Sequence, residues 1–562
     1  MSENRIWPRP QVVPLPVTVD GCDMTMLCLN GDDWKLSHQL SETFYLPEDT
    51  ATIWEDTTVP MQLLPNTEDY GYAHTFTLPA DWNGKNIFLR FDGVNCCARV
   101  YINGHFAGEH YGGFVSWDCD ITKFITPDAP NLLVLGVRDD RGGSCPFHTR
   151  GIIRDINLVA LPEVYVGRFH AETTFDDTYT NANLTVFSRL QGGNGDLELT
   201  LQSPDGEITQ LGTISLSDDS DDTSVFEIAS PLKWDSEHPY LYTLTARLVS
   251  NGTCLETVSR QIGFRQIEKR GNMIYVNGDL LKLHGINRHD IHPITGRSIT
   301  HELVEQDVRL FKEANINFIR TSHYPPRPDF LDLCDKYGIY VEDETAVAFL
   351  GQEIDCHESD PEYTDKFMNQ FSELIERDRS HACVILWSLA NECFWGKNLA
   401  LENAYAHQED PSRLTIFSYP ITQQEDDDRA DIWSMHYASW EQSPIALVDS
   451  FDRSCHEPVE WPVLHDESTH IPCYDHTDHR RDPGVRDFWG ETISAFWNKL
   501  WNTDGALGCA IWAGIDDVWL APTGRRFSPE WGIIDPWRRK KPEYWHVRKA
   551  YSPIHLTGEP EN

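Results

Sequence analysis

Short apolar or alternating runs, separated by turn signals, fill residues 1–162. Tyr72–Leu78 (YAHTFTL), Ile87–Phe91 (IFLRF), Ala98–Ile102 (ARVYI) and Leu132–Val137 (LLVLGV) read as strands. Asn103-Gly104 after the third of these is a hairpin turn dipeptide, because both residues tolerate positive φ. No helix-period segment interrupts the region, so a β-sandwich is expected. Residues 163–264 continue in the same grammar through Leu184–Phe187, Leu197–Leu201, Val225–Ile228 and Tyr242–Leu248. About seven strands in such a length predict an immunoglobulin-like β-sandwich. The acidic run Ser217–Asp222 (SDDSDD) reads as a solvated hairpin tip, since it lacks the Gly and distal Glu of a calcium loop.

The grammar changes near Gly263, and residues 265–562 form a third unit. Eight β candidates follow: Leu281–Gly285, Phe318–Thr321, Ile339–Glu342, Val384–Leu389, Leu414–Ser418, Asp431–Met435, Pro462–Leu464 and Cys509–Ala513. Helix-like stretches at Thr300–Asn315, Asp329–Tyr337 and Lys366–Arg379 separate the first four. Alternation of this kind predicts a (β/α)8 TIM barrel. A doubly wound open sheet is the alternative, but no Gly-rich phosphate turn follows any strand. The expected architecture is therefore multidomain: two N-terminal β-sandwiches and a C-terminal barrel.

Composition narrows the partners. Lys plus Arg total 46 and Asp plus Glu 88, for a net charge of −42 over 562 residues. Such a surface repels phosphate backbones and anionic lipid, so no nucleic-acid or membrane partner is expected. The 14 cysteines show no CxxC pair or zinc spacing and are expected to be free thiols. The start, MSENRIWPRPQVVPLPV, lacks a charged region followed by an apolar one, and no run approaches a membrane span. A cytoplasmic location is expected.

The chemistry gathers where the barrel strands end, which is where barrels build active sites. Those ends carry Asn287-Arg288-His289, His323-Tyr324, Asp343-Glu344, Asn391-Glu392, Tyr419, His436-Tyr437, Asp466-Glu467 and Trp512 with Asp516-Asp517. His, Tyr, Asn, Trp and carboxylates around one mouth describe a pocket for a polyhydroxylated ligand. Paired carboxylates on different strands suggest glycoside hydrolysis, in which one is protonated and one ionised. Glu392 and Glu467, on the fourth and seventh strands, can face each other. The charge of the partner is expected to raise the pKa of the acid. By spacing alone Asp343, Glu344, Asp466 and Asp516 compete for these roles.

Several of these segments, in order, resemble glycoside hydrolase family 2, which includes β-galactosidases, β-glucuronidases and β-mannosidases. They are Gly285-Ile-Asn-Arg-His-Asp-Ile-His-Pro293, Ile319-Arg-Thr-Ser-His-Tyr-Pro325, Ile339-Tyr-Val-Glu-Asp-Glu344 and Ile385-Leu-Trp-Ser-Leu-Ala-Asn-Glu392. Tyr72–Arg138 is similar to that family's jelly-roll domain; Trp234–Tyr242 and Gly263-Phe-Arg265 resemble the edges of its immunoglobulin-like domain. The resemblance implies Glu392 as acid/base and Glu467 as nucleophile. It implies Asn391, His289, His323, His436, Tyr437, Trp512 and Trp531 as substrate-binding or pocket residues. Arg288, Arg320, Asp343 and Glu344 are expected to support the carboxylates. His289 has a second reading as a structural partner of Asp290, and His323 as a strand-end cap. A homo-oligomer is implied as well.

Departures from the family bear on the substrate. The magnesium-dependent β-galactosidases place Glu and His after the third strand, where Thr345–Leu350 (TAVAFL) has neither, so no metal and no cofactor is expected. The β-glucuronidases read their sugar carboxylate with Asn-x-Lys before Gly-Ile; here Pro529-Glu-Trp531 precedes Gly532-Ile-Ile534. Ser468 follows the nucleophile position where many relatives have Tyr. His470, His476 and His479 with Asp475 and Asp478 read as a charged loop, not a metal site, and Arg538–Lys541 (RRKK) as a solvated loop. The expected function is an exo-acting retaining β-galactosidase. A β-glucuronidase or β-galacturonidase using Arg525 or Arg526 is the alternative, and furanosidase or arabinosidase activity stays open. A carbohydrate-binding protein without catalysis is the reading from another class.

Overall fold

The computed structural model describes residues 12–65, 69–138, 149–351, 357–418, 429–437, 461–470, 482–521 and 523–554. Tyr419, His476, His479, Asp475 and Asp478 lie outside them. The first sandwich packs two antiparallel sheets. One runs in the order Glu55–Val59, Gly31–Ser37, Tyr70–Phe76, Asn131–Arg138, Cys97–Ile102, His105–Tyr111; the other, Trp117–Asp120, Asn86–Phe91, Ile156–Leu161, Met26–Cys28. Alternation explains the packing of Cys97–Ile102, where Ala98, Val100 and Ile102 are buried and Arg99 is exposed. Its hairpin to His105–Tyr111 turns through Asn103 and Gly104, with φ of 51° and 82°.

The second sandwich pairs a sheet of Tyr165–Phe175, Ala182–Gln191 and Asp222–Ile228 with one of Thr253–Ile262, Tyr242–Ser250, Gly195–Gln202 and Ile208–Leu216. Pro16–Val19, ahead of the first sandwich, adds to the edge of that sheet against Thr253–Ile262. The SDDSDD run links two strands, and Asp218 accepts the Gly193 N–H at 3.1 Å.

Eight parallel strands close the barrel: Leu283–Asn287, Phe318–Arg320, Tyr340–Glu344, Val384–Ser388, Leu414–Phe417, Ile432–His436, Val463–Ser468 and Ala506–Ile511. Each expected strand has its counterpart. The expected helices are His301–Glu313, Pro328–Tyr337 and Thr364–Asp378. Val304, Val308 and Phe311 lie one helical turn apart on the first of these and are buried in the barrel core.

Both sandwiches dock on the barrel through buried polar contacts. Phe114 stacks on Tyr324 with ring centroids 4.1 Å apart, and Arg154 donates to Asp290 and to the carbonyls of Phe114 and Pro325. Arg168 and His170 share Glu376, while Arg265 donates to the carbonyls of Ala382 and Val384. The ten described cysteines are free thiols. Among the described residues no helix is long and apolar enough to cross a membrane.

Candidate active site

The site is organised by Arg320, at the end of the second barrel strand and fully buried. Its Nε donates to Glu344 Oε2 at 2.8 Å, Nη1 to Glu467 Oε1 at 2.8 Å and to Asn287 Oδ1 at 3.1 Å, and Nη2 to Asn391 Oδ1 at 2.9 Å. Glu342 lies 3.2 Å from Nε. One planar fork thus ties four strands together, which a lysine could not do.

Strand alternation decides which carboxylates belong here. Glu342 and Glu344 point inward with Arg320. Asp343, between them, faces the helix layer, where Thr321, Arg377 and Asp378 surround it. Asp343 therefore does not support the pair, contrary to expectation, and Glu342 takes that place. Alternation alone would also send Asp466 outward. A register shift in the pairing around the seventh strand lets Asp466 and Glu467 both reach the interior. Arg288 pairs with barrel carboxylates as expected, though not with the two glutamates at the mouth. It pairs with Asp290 at 2.7 Å and with Asp307 at 2.9 Å, and Asp307 belongs to the helix behind the first strand. It anchors that helix and touches neither Glu392 nor Glu467.

Glu392 follows the fourth strand with φ of 46°. Tyr437 and Thr469, after the sixth and seventh strands, have φ of 42° and 46°. Left-handed backbone costs a residue with a Cβ about 1–3 kcal/mol. At Glu392 it is held by neighbouring bonds: Asn391 N–H to Val347 O at 2.8 Å and Phe349 N–H to Asn391 O at 3.0 Å. Glu392 Oε1 lies 3.0 Å from His436 Nδ1. Glu467 accepts the Tyr437 hydroxyl at 2.8 Å on Oε2, and His323 Nε2 lies 3.4 Å from Oε1. One oxygen of Glu392, one of Glu467 and a ring nitrogen of His436 all lie within 4.8 Å of one another. Asn391 Nδ2 is buried without a protein partner among the described residues.

Electrostatics here run against one expectation. Burial works to raise the Glu392 carboxyl, but the His436 bond and charge, with His323 and Arg320, outweigh it and hold the group below the usual range. The acid/base candidate is thus not raised in the resting site. Glu344 behaves alike: burial raises it, Arg320 and His323 lower it further. Burial disfavours charge on His436, yet Glu467 and Asp466 push its pKa well above the ordinary value. His289 is held neutral by burial and by neighbouring cations.

Aromatic rings line the wall. His323 stacks on Trp512 with centroids 5.1 Å apart at 10°, and His289 meets both edge-on. Trp531 lies 6.0 Å from Trp512. His289 Nδ1 contacts Tyr324 at 3.2 Å; Asp290 is taken by Arg288 and Arg154. Thr345–Leu350 is largely buried, with Ala346 and Ala348 packed on Phe114 and Ile153 of the first sandwich.

Sequence reading missed three participants. His470 packs at 6.0 Å from Tyr437 and 5.6 Å from Trp531, so it belongs to the pocket. Its place three residues after Glu467 was the available signal. Glu342 could have been found by counting alternate positions from Glu344. Ser388 donates to Glu344 at 2.6 Å, and nothing local marks it.

In the RRKK segment Arg539 and Lys540 are exposed, as expected, but Arg538 and Lys541 are drawn into the fold. Arg538 is buried on Asp307 and the Ile291 carbonyl, and Lys541 donates to Asp516 at 2.7 Å. Lys540 pairs with Glu313 and Arg539 with Asp535. Asp335, His381 and Cys383 also bring ligand-type atoms within 4.8 Å, but the carboxylate already accepts from the Cys383 N–H and pairs with the imidazole.

Three models of one family match along the chain. Residues 267–555 match the TIM barrel domain of glycosyl hydrolases family 2, residues 164–265 the glycosyl hydrolases family 2 domain, and residues 52–140 its galactose-binding domain-like unit. The chain belongs to glycosyl hydrolase family 2. The β-galactosidase of Priestia megaterium is 30% identical over 390 residues, covering 65% of this chain and 38% of that protein. That of Vibrio cholerae is 32% identical over 362 residues, covering 61% and 35%. The chain thus matches little more than a third of these relatives' length. Among solved structures, Bacteroides uniformis β-glucuronidase aligns with a TM-score of 0.80 at 22% identity, over 94% of this chain and 69% of that one. Ruminococcus gnavus β-glucuronidase aligns at 0.81 and 20%, over 94% and 97%. These likenesses show a shared fold.

Proposed function

We propose that the protein is an exo-acting retaining β-glycosidase that hydrolyses terminal β-D-galactosides. Glu467 attacks the anomeric carbon and forms a glycosyl-enzyme. Glu392 protonates the departing oxygen and then activates water. The observation that carries this reading is the approach of Glu392 and Glu467 across the barrel mouth, with carboxyl oxygens no more than 4.8 Å apart. Retaining enzymes hold their carboxyls ~5–5.5 Å apart; inverting enzymes need more room for water.

The surroundings supply the other requirements. Arg320 and Tyr437 each hold one oxygen of Glu467 and so aim the carboxylate that attacks. Asn391 Nδ2, buried and unpartnered by protein, suits a hydrogen bond to the sugar 2-hydroxyl. Trp512, stacked on His323, offers the apolar wall a sugar face needs.

Galactosides are favoured over uronides because the cations of the RRKK segment are already engaged. Lys540, Lys541, Arg538 and Arg539 each carry an acidic partner, so a uronide carboxylate would displace one. Trp531 stands where the glucuronidase lysine is expected. The galactosidase relatives support the same choice.

The test is initial rates on nitrophenyl β-galactopyranoside, β-glucuronide, β-galacturonide, β-glucoside, β-galactofuranoside and α-arabinopyranoside, with Glu467→Ala alongside. A dominant galactoside rate, lost in the variant, is expected. A dominant uronide rate would keep the mechanism and overturn the substrate. Turnover of none, with sugar binding retained, would overturn the enzyme reading.

A further inference from the structure

His436 stands among three carboxylates. Nδ1 lies 3.0 Å from Glu392 Oε1 and 3.7 Å from Glu467 Oε2, and Nε2 lies 3.5 Å from Asp466 Oδ2 and 3.3 Å from Ser418 Oγ. The imidazole is 2% exposed. Among the described residues, the charged and titratable groups facing it come from several barrel strands. They are Glu392 after the fourth strand, Asp466, Glu467 and His465 on the seventh, Glu342 on the third, and Arg320 on the second acting through Glu467. Among the described residues three carboxylates lie within 4 Å of the ring, and the Arg320 guanidinium is already committed to Glu344 and Glu467. That setting favours the imidazolium form.

The arrangement exposes a difficulty in the mechanism proposed above. An acid catalyst must carry a proton when the glycosidic oxygen departs. The groups that face Glu392 hold it ionised: His436 donates to it, and His323 and Arg320 add positive potential. Among the described residues, the nitrogen in hydrogen-bonding reach of Glu392 is His436 Nδ1, at 3.0 Å.

We propose that His436 is the proton reservoir of the site, passing its Nδ1 proton to Glu392 Oε1 when substrate occupies the pocket and taking it back before the next turnover. The proposal rests on the reading of Glu392 as acid/base, and it gives His436 a different part from the sugar contact expected of it. In the first half-reaction the Nδ1–H bond breaks and a Glu392 O–H bond forms. That proton then bonds to the departing oxygen as its bond to the anomeric carbon breaks, and Glu467 bonds to the same carbon. His436 is left neutral, Glu392 ionised and Glu467 esterified. In the second half-reaction Glu392 takes a proton from water as the water oxygen bonds to the anomeric carbon and releases Glu467. The proton returns to Nδ1. One water is consumed and each side chain ends as it began.

The timing follows from the same geometry. Esterification removes the negative charge of Glu467, one of the three anions holding the imidazolium. The hold on the proton therefore weakens as the nucleophile attacks, when Glu392 needs it. His436 acts through Glu392 and is a positioning and relay residue, not one that touches the reacting carbon.

The experiment compares wild type, His436→Gln, His436→Asn and Asp466→Asn on two glycosides of the preferred sugar. One has a 2,4-dinitrophenyl leaving group, which departs without a proton; the other has a methyl group, which needs one. Expected for both His436 variants is a fall of at least 30-fold in kcat/KM on the methyl glycoside with less than 3-fold on the dinitrophenyl glycoside. The alkaline limb of the methyl-glycoside pH profile should move down by at least one pH unit. Asp466→Asn keeps the shape and removes one anion beside Nε2, so its alkaline limb should move in the same direction. Equal losses on both leaving groups, or an unmoved limb in any folded variant, would overturn the proposal. Glu392→Gln in the same assay separates the two ideas: no leaving-group dependence there would sink the acid/base reading itself.

Discussion

Arg320 and Glu467 meet at 2.8 Å at the centre of the barrel mouth, and Arg320 is entirely buried. The guanidinium is the shared counter-charge of Glu344 and Glu467, while burial and the Asp466 charge push the neighbouring Glu342 towards its neutral form. Removing one partner of a buried ion pair leaves the others uncompensated and costs about 3–5 kcal/mol. Arg320→Met is expected to lower unfolding stability by that amount in a urea titration and to abolish turnover. Arg320→Lys keeps a charge but loses the fork and should fall between. An Arg320→Met protein with wild-type stability would contradict this account of the site.

Tyr437 holds the second oxygen of Glu467. A hydrogen bond to a charged group contributes about 1.5–3 kcal/mol. Tyr437→Phe should therefore lower the urea midpoint modestly and lose about 10- to 100-fold in kcat/KM. A loss below threefold would mean that the hydroxyl does not tune the nucleophile.

Glu392→Gln removes the proton donor and leaves the nucleophile intact. General acid catalysis supplies about 10²–10⁴-fold, so alkyl glycosides should lose that much. Added azide should restore rate on an activated aryl glycoside and give a β-glycosyl azide, read by NMR. An α-configured azide would show inversion and exclude a glycosyl-enzyme.

Glu256 offers a prediction far from the mouth. It is fully buried in the second sandwich, and Oε2 accepts the Val166 N–H at 2.8 Å, while Oε1 has no partner among the described residues. Burial pushes its pKa up to about 8. The folded state thus binds this proton where the unfolded chain has lost it. The stabilisation is full below the ordinary carboxylate range and is lost as pH rises through about 8. The slope is about 1.4 kcal/mol per pH unit within that window. Glu256→Gln mimics the protonated acid, so its stability relative to wild type should rise by about 3 kcal/mol from pH 5.5 to 7.5. Parallel stability curves for the two proteins would refute it.

Much of this protein is legible along the chain. The change from short alternating runs to strands separated by helical stretches marks the barrel, because side-chain period is a local property of the backbone. The strand-end motifs are local too: Asn391-Glu392 and Asp466-Glu467 sit beside the strands that present them. What the chain order hides is which of these groups meet. Alternation turns Asp343 to the helices and Glu342 to the pocket, and a register shift lets Asp466 share the interior with Glu467. Arg538 reads as a solvated charge until the fold brings Asp307 to it from 231 residues away. His436 acquires its character from groups on several barrel strands, and only closure of the barrel sets them around one imidazole. The sequence by itself determined the elements and the inventory of reactive groups. The tertiary structure decided their pairing and hence their protonation, because burial and charge act through space and not along the chain.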